Sequence, residues 1–383
     1  MLGKIAASLK KRMDELEWGK VRLGDLFEVK RGLSMYVNDK ESFSYVSENH
    51  PNAIRLVQQL KDNNGIVAYV DGKNLPEKFK SKVEKAGQIT INPDQPMSFY
   101  QDKEFIGNSV IIIDTSKLSK NICLYIVGEI QRIRKNSTWN DKFPKEQVKI
   151  AEISMPCKNG KIDFDFIESL ISELEEEQIR ELNAYLKASG MDNYILSPAE
   201  QQAIDEYSSL EFKEFDINKI FTIKNTKNIL SREIEENSGT TPYLCASSEN
   251  NSVSTYIKYK DELKDKGNCI FIGGKTFVVS YQESDFYSND SHNLALYLNE
   301  YEIKKYNQLF LATCVNKSLS HKYSWGDSVS GSKIKKDKIY LPIKNNQIDF
   351  EGMDIFISAI HKLVIKDVVE YSNKKLKLTK KNS

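Results

Sequence analysis

The sequence predicts an α+β fold: two similar β-rich globular domains joined by long antiparallel paired helices, a coiled-coil-like spacer, with pseudo-two-fold cyclic symmetry. Three observations predict it. Five sequence blocks recur in the same order in both halves of the chain. Each copy is a series of short β-branched and aromatic runs separated by Gly, Asn, Asp and Pro. Each copy then gives way to a long segment with apolar residues at helical spacing.

The blocks establish a duplication. WGKVRLGDLFEVKRG from Trp18 matches FKEFDINKIFTIKNT from Phe212, with Phe27 over Phe221 and Lys30 over Lys224. NNGIVAYV (Asn63–Val70) matches NNSVSTYI (Asn250–Ile257), and FYQDKEFIGNS (Phe99–Ser109) matches SYQESDFYSND (Ser280–Asp290). STWNDK (Ser137–Lys142) matches YSWGDS (Tyr323–Ser328), and EISMPCKNGKIDF (Glu152–Phe164) matches KIYLPIKNNQIDF (Lys338–Phe350). The offset drifts only between 180 and 194, which loop insertions explain. A period this long marks a domain duplication and not a solenoid.

In chain order, residues 1–17 read as the first spacer helix, amphipathic, charged and without the apolar core of a signal segment. The first domain spans 18–164. Its runs RLGDLFEVKRG, GIVAYVDGKN, GQITINPDQP and NSVIIIDTS read as strands, whereas AIRLVQQLKDNN (Ala53–Asn64) reads as a helix. Residues 165–209 form a central helical spacer. Within it 165–187 place Phe166, Leu170, Ile171, Leu174, Leu182 and Leu186 three and four apart. After a break at 188–193, a second piece at 197–212 opens with Ser197 as N-cap, Pro198 at the first helical position and Glu200 completing a capping box. The second domain spans 210–350, and 351–383 is the C-terminal spacer helix, with Met353, Phe356, Ile360, Leu363, Val364 and Tyr371 on one face. The repeat unit is thus helix, β-domain, helix, and the chain ends complete a symmetry that the middle contains uninterrupted.

Charge supports this layout. The net charge is only +1, but it is segregated. Residues 165–187 carry seven acids against two bases, and the C-terminal helix is basic, so pairing of the two helices is electrostatically favourable. Residues 116–150 carry eight Lys/Arg against three acids, a local basic face on a protein too neutral overall to bind nucleic acid by charge alone. The five cysteines, Cys123, Cys157, Cys245, Cys269 and Cys314, form no C-x-x-C pair, and the four histidines have no ligand or triad spacing, so no metal, cofactor or disulfide framework is expected. The longest apolar runs, such as Val110–Thr115, are strand-length and too short to span a bilayer. The cytoplasm is the expected compartment and no membrane partner is expected.

At this point the motifs resemble a known family. The start W-x-x-x-x-L-x-D-L-F-x-x-x-x-G at Trp18, the NNG-x-x-x-Y at Asn63, the strands ending in an exposed FYQ or YQ at Gln101 and Gln282, the Trp segments at Trp139 and Trp325, and the I-x-x-P at Ile153 and Ile339 are similar to the target recognition domains of restriction-modification specificity (S) subunits, of type I systems and related type IIB-like enzymes. The resemblance covers essentially the whole chain. It implies a subunit without catalytic residues that binds two short half-sites of double-stranded DNA across a nonspecific gap. It also implies recruitment of methyltransferase (M) subunits through the helices, with restriction (R) subunits joining in some systems. The first copy departs from the pattern between Arg31 and Asn63, and carries NPDQPM (Asn92–Met97) where the second has GGKTFV (Gly273–Val278). These differences imply that the halves read different half-sites.

The function so implied has a simple physics. A helix of about 24 residues is ~36 Å long, close to one ~34–36 Å turn of B-DNA, so a stiff spacer sets two readers about one turn apart. Unlike readers predict an asymmetric site. Base reading needs directional donors and acceptors on loops of a rigid scaffold. In the first domain the candidates are Lys30, Arg31, Asn63, Asn64, Lys135, Asn136, Ser137, Thr138 and Lys142. In the second they are Lys224, Asn225, Lys227, Ser247, Ser248, Asn250, Asn251, Lys275, Lys322 and Lys333. Trp139 and Trp325 share one repeat position, and a packing role is expected of them before base stacking.

Catalytic readings fail on their own residues. Glu28-Val29-Lys30 resembles a nuclease E-x-K, but the second copy has Thr222-Ile223-Lys224. Ile272–Thr276 resembles the end of a phosphate loop, but the required glycine is Cys269. Asn92-Pro93-Asp94-Gln95 lacks the second proline and the aromatic of a methyltransferase tetrapeptide. The chain reads as no enzyme. The alternative of another class is a protein–protein adaptor with duplicated β-domains and no DNA sequence preference.

Overall fold

The computed structural model describes residues 7–35, 37–136, 141–299 and 304–382. The chain forms two compact units, Met1–Leu182 with Lys375–Ser383, and Asn183–Lys374.

In the first unit the strands are β1 (Glu17–Arg22), β2 (Val29–Arg31), β3 (Tyr45–Val46), β4 (Ala53–Val57), β5 (Ile66–Asp71), β6 (Gln88–Ile91), β7 (Ser98–Gln101), β8 (Phe105–Gly107), β9 (Ile111–Ile113), β10 (Glu152–Lys158) and β11 (Lys161–Ile162). They build three sheets, ordered β1-β10-β11, β2-β9-β6-β7 and β3-β5-β4-β8. The Val-Ile-Ile-Ile run explains how two of them share a core. A strand alternates its side chains between faces. Ile111 and Ile113 join Ile89, Ile91 and the Ile122, Cys123, Ile126 and Ile130 face of the Lys120–Ile133 helix. Val110 and Ile112 point the other way, to Val57, Ile66 and Phe105. A run apolar at every position is therefore a strand wedged between two cores. Full burial of each such side chain contributes about 1.5–3 kcal/mol.

Ala53–Asn64, expected to be helical, is not. Ala53–Val57 is strand β4, hydrogen-bonded antiparallel to β5 and parallel to β8. The three-residue spacing of Ile54, Val57 and Leu60 mimics a helix, but ladders on both edges and the burial of Leu56 and Val57 decide the outcome. The second unit has the matching strand, so this stretch is common to both copies.

The second unit repeats the plan. Its strands are β12 (Phe212–Asp216), β13 (Phe221–Asn225), β14 (Thr241–Leu244), β15 (Val253–Ile257), β16 (Cys269–Ile272), β17 (Val279–Gln282), β18 (Tyr287–Ser288), β19 (Leu294–Leu298), β20 (Lys338–Lys344) and β21 (Gln347–Ile348). The sheets are β12-β20-β21, β13-β19-β16-β17 and β15-β14-β18, with β14 parallel to β18 as β4 is to β8. Leu294, Leu296 and Leu298 face the Lys305–Leu319 helix core, while Ala295 faces Phe271, Phe286 and Leu244.

The recurring blocks now have physical meanings. The first and last blocks of each copy pair with each other: Trp18 lies opposite Pro156, and Phe212 opposite Pro342. The shared K-N-x turns join β10 to β11 and β20 to β21 through two residues with positive φ, Asn159 (53°) with Gly160 (74°) and Asn345 (52°) with Asn346 (62°). That is the requirement of a two-residue hairpin turn. The Ile-Asp-Phe that follows starts each long helix. Asp163 accepts from the Phe166 amide and Asp349 from the Gly352 amide, both at 2.9 Å, capping the Phe164–Ala188 and Phe350–Asn382 helices.

Short helices dock on the long ones within each unit. In the first, Arg12 of the Ala7–Asp14 helix reaches Glu173 at 2.6 Å and Ser169 at 3.2 Å. In the second, the capping box of the Pro198–Asp205 helix forms as expected, Ser197 and Glu200 bonding reciprocally. This helix is shorter than the expected 197–212 and ends in a 3-10 turn at Tyr207–Ser209. Glu200 also accepts from Ser358 (2.7 Å) and Lys362 (2.8 Å). Burial alone would raise its carboxyl, but Lys362, the Ser197 amide and Ser358 outweigh that and hold it at about 2.

Candidate nucleic-acid interface

The β2-β9-β6-β7 and β13-β19-β16-β17 sheets each have one end at which loops from distant parts of the unit meet. In the first unit the register puts Arg31 opposite Ile111, and Ile111 opposite Ile91, so the end of β2 and the β6–β7 turn (Asn92–Met97) lie at the same edge. Arg134, at the end of the Lys120–Ile133 helix and only 3% exposed, holds that turn. It donates to the carbonyls of Asn92 (2.6 Å), Pro93 (3.5 Å) and Gln95, and its guanidinium lies 4.7 Å over the Phe143 ring. One planar fork thereby fixes a proline-rich turn that has little regular structure of its own. Gly32 closes the edge. A Cβ there would stand 2.6 Å from the Gly107 carbonyl oxygen, so only glycine permits this approach.

In the second unit the equivalent β16–β17 turn is fixed differently. A Cβ at Gly273 would stand 2.5 Å from that of Ala246, and one at Gly274 would stand 2.5 Å from the His292 carbonyl oxygen. The Gly274 amide donates to Asn293 (2.9 Å), and its carbonyl accepts from the Val329 amide (3.0 Å). Asp290 joins the cluster, accepting from the His292 amide and ring and standing 3.4 Å from Lys275. Burial pushes the Asp290 carboxyl up, but His292 and Lys275 outweigh it and leave it below the ordinary carboxylate range. The loop after the Lys305–Leu319 helix is tied down by Asp337, which accepts from both Lys322 and Tyr323, while Tyr323 stacks on Phe277 at 5.1 Å. Burial, and then Asp337, raise the Tyr323 hydroxyl pKa, so it stays a donor.

Of the expected residues, Arg31, Lys135, Asn136 and Lys142 gather at this edge of the first unit, with Lys142 3.4 Å from Asp94. Ser137 and Thr138 lie outside the described residues, as does Trp139. Lys30 lies mid-strand and pairs with Glu84 at 2.5 Å. In the second unit Lys275 lies in the β16–β17 turn, Ser247 and Ser248 follow Ala246, which that turn approaches, and Asn225 ends β13 near Gly331, while Lys322 is held by Asp337. Asn225 donates to the Ser291 carbonyl (2.8 Å), and Lys333 to Asp327 (2.6 Å) and the Ser328 carbonyl (3.0 Å). Lys224 lies 5.4 Å over the Tyr297 ring. Lys227 turns instead to the carbonyls of Glu262 (2.7 Å) and Lys264 (2.8 Å).

The Asn pairs form a separate, duplicated device. Asn63 and Asn64 (φ 48° and 51°) and Asn250 and Asn251 (φ 47° and 51°) adopt the left-handed conformation that Asn tolerates. Asn63 and Asn250 each bond the carbonyl three residues on, at 3.0 and 2.9 Å. Gln101 and Gln282 then latch the turns by donating to the Asn64 and Asn251 carbonyls, each at 2.9 Å. Arg134 is not among the residues that the sequence singles out, and Gln101 and Gln282, which end motifs expected to be exposed, are instead buried because their amides hold the Asn turns. Trp325 departs from its expected packing role: it is 76% exposed.

Among the described residues, no cluster of three or more His, Cys, Asp or Glu could hold a metal, and no helix is long and apolar enough to cross a membrane. A family model for the type I restriction modification DNA specificity domain matches residues 15–184 and again 210–371. The chain belongs to this family. The specificity-subunit relative "Type II restriction enzyme BgcI specificity subunit S.BcgI" of Heyndrickxia coagulans is 21% identical over 349 residues, 90% of this chain and 94% of that protein. In fold the chain is similar to the type I restriction-modification S subunit from M. genitalium, with a TM-score of 0.56 and 14% identity over 95% of this chain and 93% of that one. It is a specificity subunit of a restriction-modification system, a DNA-binding and non-catalytic component, and the model matches twice, once in each half of the chain.

Proposed function

We propose that this specificity subunit reads an asymmetric bipartite site in double-stranded DNA, one half-site per unit, and recruits methyltransferase subunits, with restriction subunits in some assemblies, through its helices. One observation carries the reading. The same scaffold presents the same loop edge twice, but with different residues and different anchors: Asn92–Met97 held by Arg134, and Gly273–Val278 held by Ala246 and Asn293. Like scaffolds with unlike edges suit unlike half-sites. The expected boundaries, 18–164 and 210–350 for the readers with 1–17, 165–209 and 351–383 as spacer, belong to this proposal.

A helical spacer is supported by the 25-residue length of the Phe164–Ala188 helix, about 37 Å at ~1.5 Å per residue. It is also supported by Glu175–Lys375 (3.5 Å) within the first unit and Asn183–Ser372 (3.5 Å) within the second. A length near one turn of DNA suits half-sites about one turn apart. Recruitment is supported by Val364, Val368 and Tyr371 on the Phe350–Asn382 helix. They are 74%, 39% and 53% exposed and are spaced to form one apolar stripe.

The test is a methylome. The chain is co-expressed with its methyltransferase partner in a host lacking adenine and cytosine methylation. One asymmetric bipartite motif is expected to become methylated, and to disappear when this chain is omitted. Methylation without sequence preference, or identical methylation without the chain, would leave the adaptor reading standing and remove this one.

A further inference from the structure

Among the described residues Trp325 is the most exposed large apolar side chain, at 76%. An indole this exposed offers a large, flat apolar area that a partner can cover. The surrounding geometry holds it out deliberately. Ser324 and Asp327 exchange backbone hydrogen bonds (3.2 and 3.0 Å), which puts Trp325 and Gly326 at the tip of a two-residue turn. Gly326 has open space where a side chain would stand.

The base of the turn is rigid. Tyr323 is buried, stacked on Phe277 and bonded to Asp337, and Val329 donates to Gly274 in the reading edge. Lys333 braces the far side through Asp327 and the Ser328 carbonyl. A stiff tip loses little entropy when its side chain is covered. Charge indicates what covers it. Residues 321–337 hold four lysines (Lys322, Lys333, Lys335 and Lys336) against two acids, Asp327 paired with Lys333 and Asp337 paired with Lys322, which leaves a net charge of +2. Lys335 and Lys336 are both exposed. An exposed aromatic tip on a segment of net positive charge suits a polyanion with flat apolar faces.

Resting on the DNA-reading function proposed above, we propose that Trp325 is a DNA-contacting wedge. Its indole stacks on a base at the edge of the half-site read by the second unit, and the neighbouring lysines engage phosphates. The sequence keeps a tryptophan, Trp139, at the same repeat position of the first copy.

The test uses the full chain with its methyltransferase partner and a duplex enriched by that wild-type complex from a random pool. Trp325→Ala is expected to weaken binding of this duplex about ten- to a hundredfold, the range of one base–aromatic stack, while Trp325→Phe retains most affinity. Tryptophan fluorescence is expected to be quenched by the duplex in the wild type, and the quench to shrink in Trp325→Phe. Thermal unfolding of both variants should stay close to the wild type, because the side chain is 76% exposed. Wild-type affinity in Trp325→Ala overturns the wedge. So does loss of methyltransferase association with DNA affinity intact, which would assign the indole to a protein contact. A wild-type complex that enriches no sequence ends the DNA-reading proposal, and the wedge with it.

Discussion

Replacing Glu200 with Gln should destabilise the second unit in a strongly pH-dependent way. The carboxylate is 7% exposed and accepts from Lys362, Ser358 and the Ser197 amide. These partners move it from its ordinary 4.5 to about 2. At about 1.36 kcal/mol per unit, ionised Glu200 favours the folded state by roughly 3 kcal/mol at neutral pH. The folded value is the depressed one, so this stabilisation is complete above 4.5 and is lost as pH falls from there towards 2. In urea unfolding at pH 7, Glu200→Gln should therefore cost about 2–3 kcal/mol. By about pH 3.5 the gap to wild type should have closed by about 1–1.5 kcal/mol. Lys362→Met should cost at least as much at pH 7, since it strands a buried carboxylate, and the double variant should cost less than the sum of the two. A Glu200→Gln deficit that is the same at both pH values would refute the ion-pair account, leaving only a role in the capping box.

Arg134→Met removes the donors that hold Asn92, Pro93 and Gln95, at a cost of about 2–3 kcal/mol. In the methylome it should relax the bases of one half-site and leave the other unchanged; relaxation of both halves, or of neither, would dissociate that turn from reading. Gln101→Leu and Gln282→Leu should each cost about 1–2 kcal/mol in chemical unfolding, because each breaks the latch on its own Asn turn. A large effect at one position and none at the other would show that the two latches are not equivalent.

What could be read from the sequence was what repeats. Blocks that pair, cap or turn the backbone use a few residue types with narrow conformational roles, so Ser197-Pro198 with Glu200 was recognisable as a helix start. Three of the four failures share one cause, contacts distant in sequence. Ala53–Val57 became a strand because β5 and β8 flank it, and local spacing contains neither. Lys227 looked like any loop lysine, yet the carbonyls of Glu262 and Lys264 claim it. Trp325 looked like a core residue because tryptophan usually is one, and only the Ser324–Asp327 turn shows that it is held outward. Arg134 was invisible because its partners are carbonyls, which no sequence motif records.

The division between repeated and unrepeated contacts also bears on how such a subunit acquires a new target. The Gln101 and Gln282 latches, the Asn159-Gly160 and Asn345-Asn346 hairpins and the Asp163 and Asp349 caps are held in common by the two copies. All of them fix backbone, and none lies in the turns at 92–97 or 273–278. The anchors of those turns are unrelated: a buried arginine fork in one copy, and two glycines pressed against neighbouring chain in the other. The contacts that the copies share fix the scaffold, and the candidate edge is set by residues that they do not share. Substitutions at shared contacts should therefore lower stability before they alter the methylated motif. Substitutions at unshared anchors should alter the motif of one half while most of the stability remains.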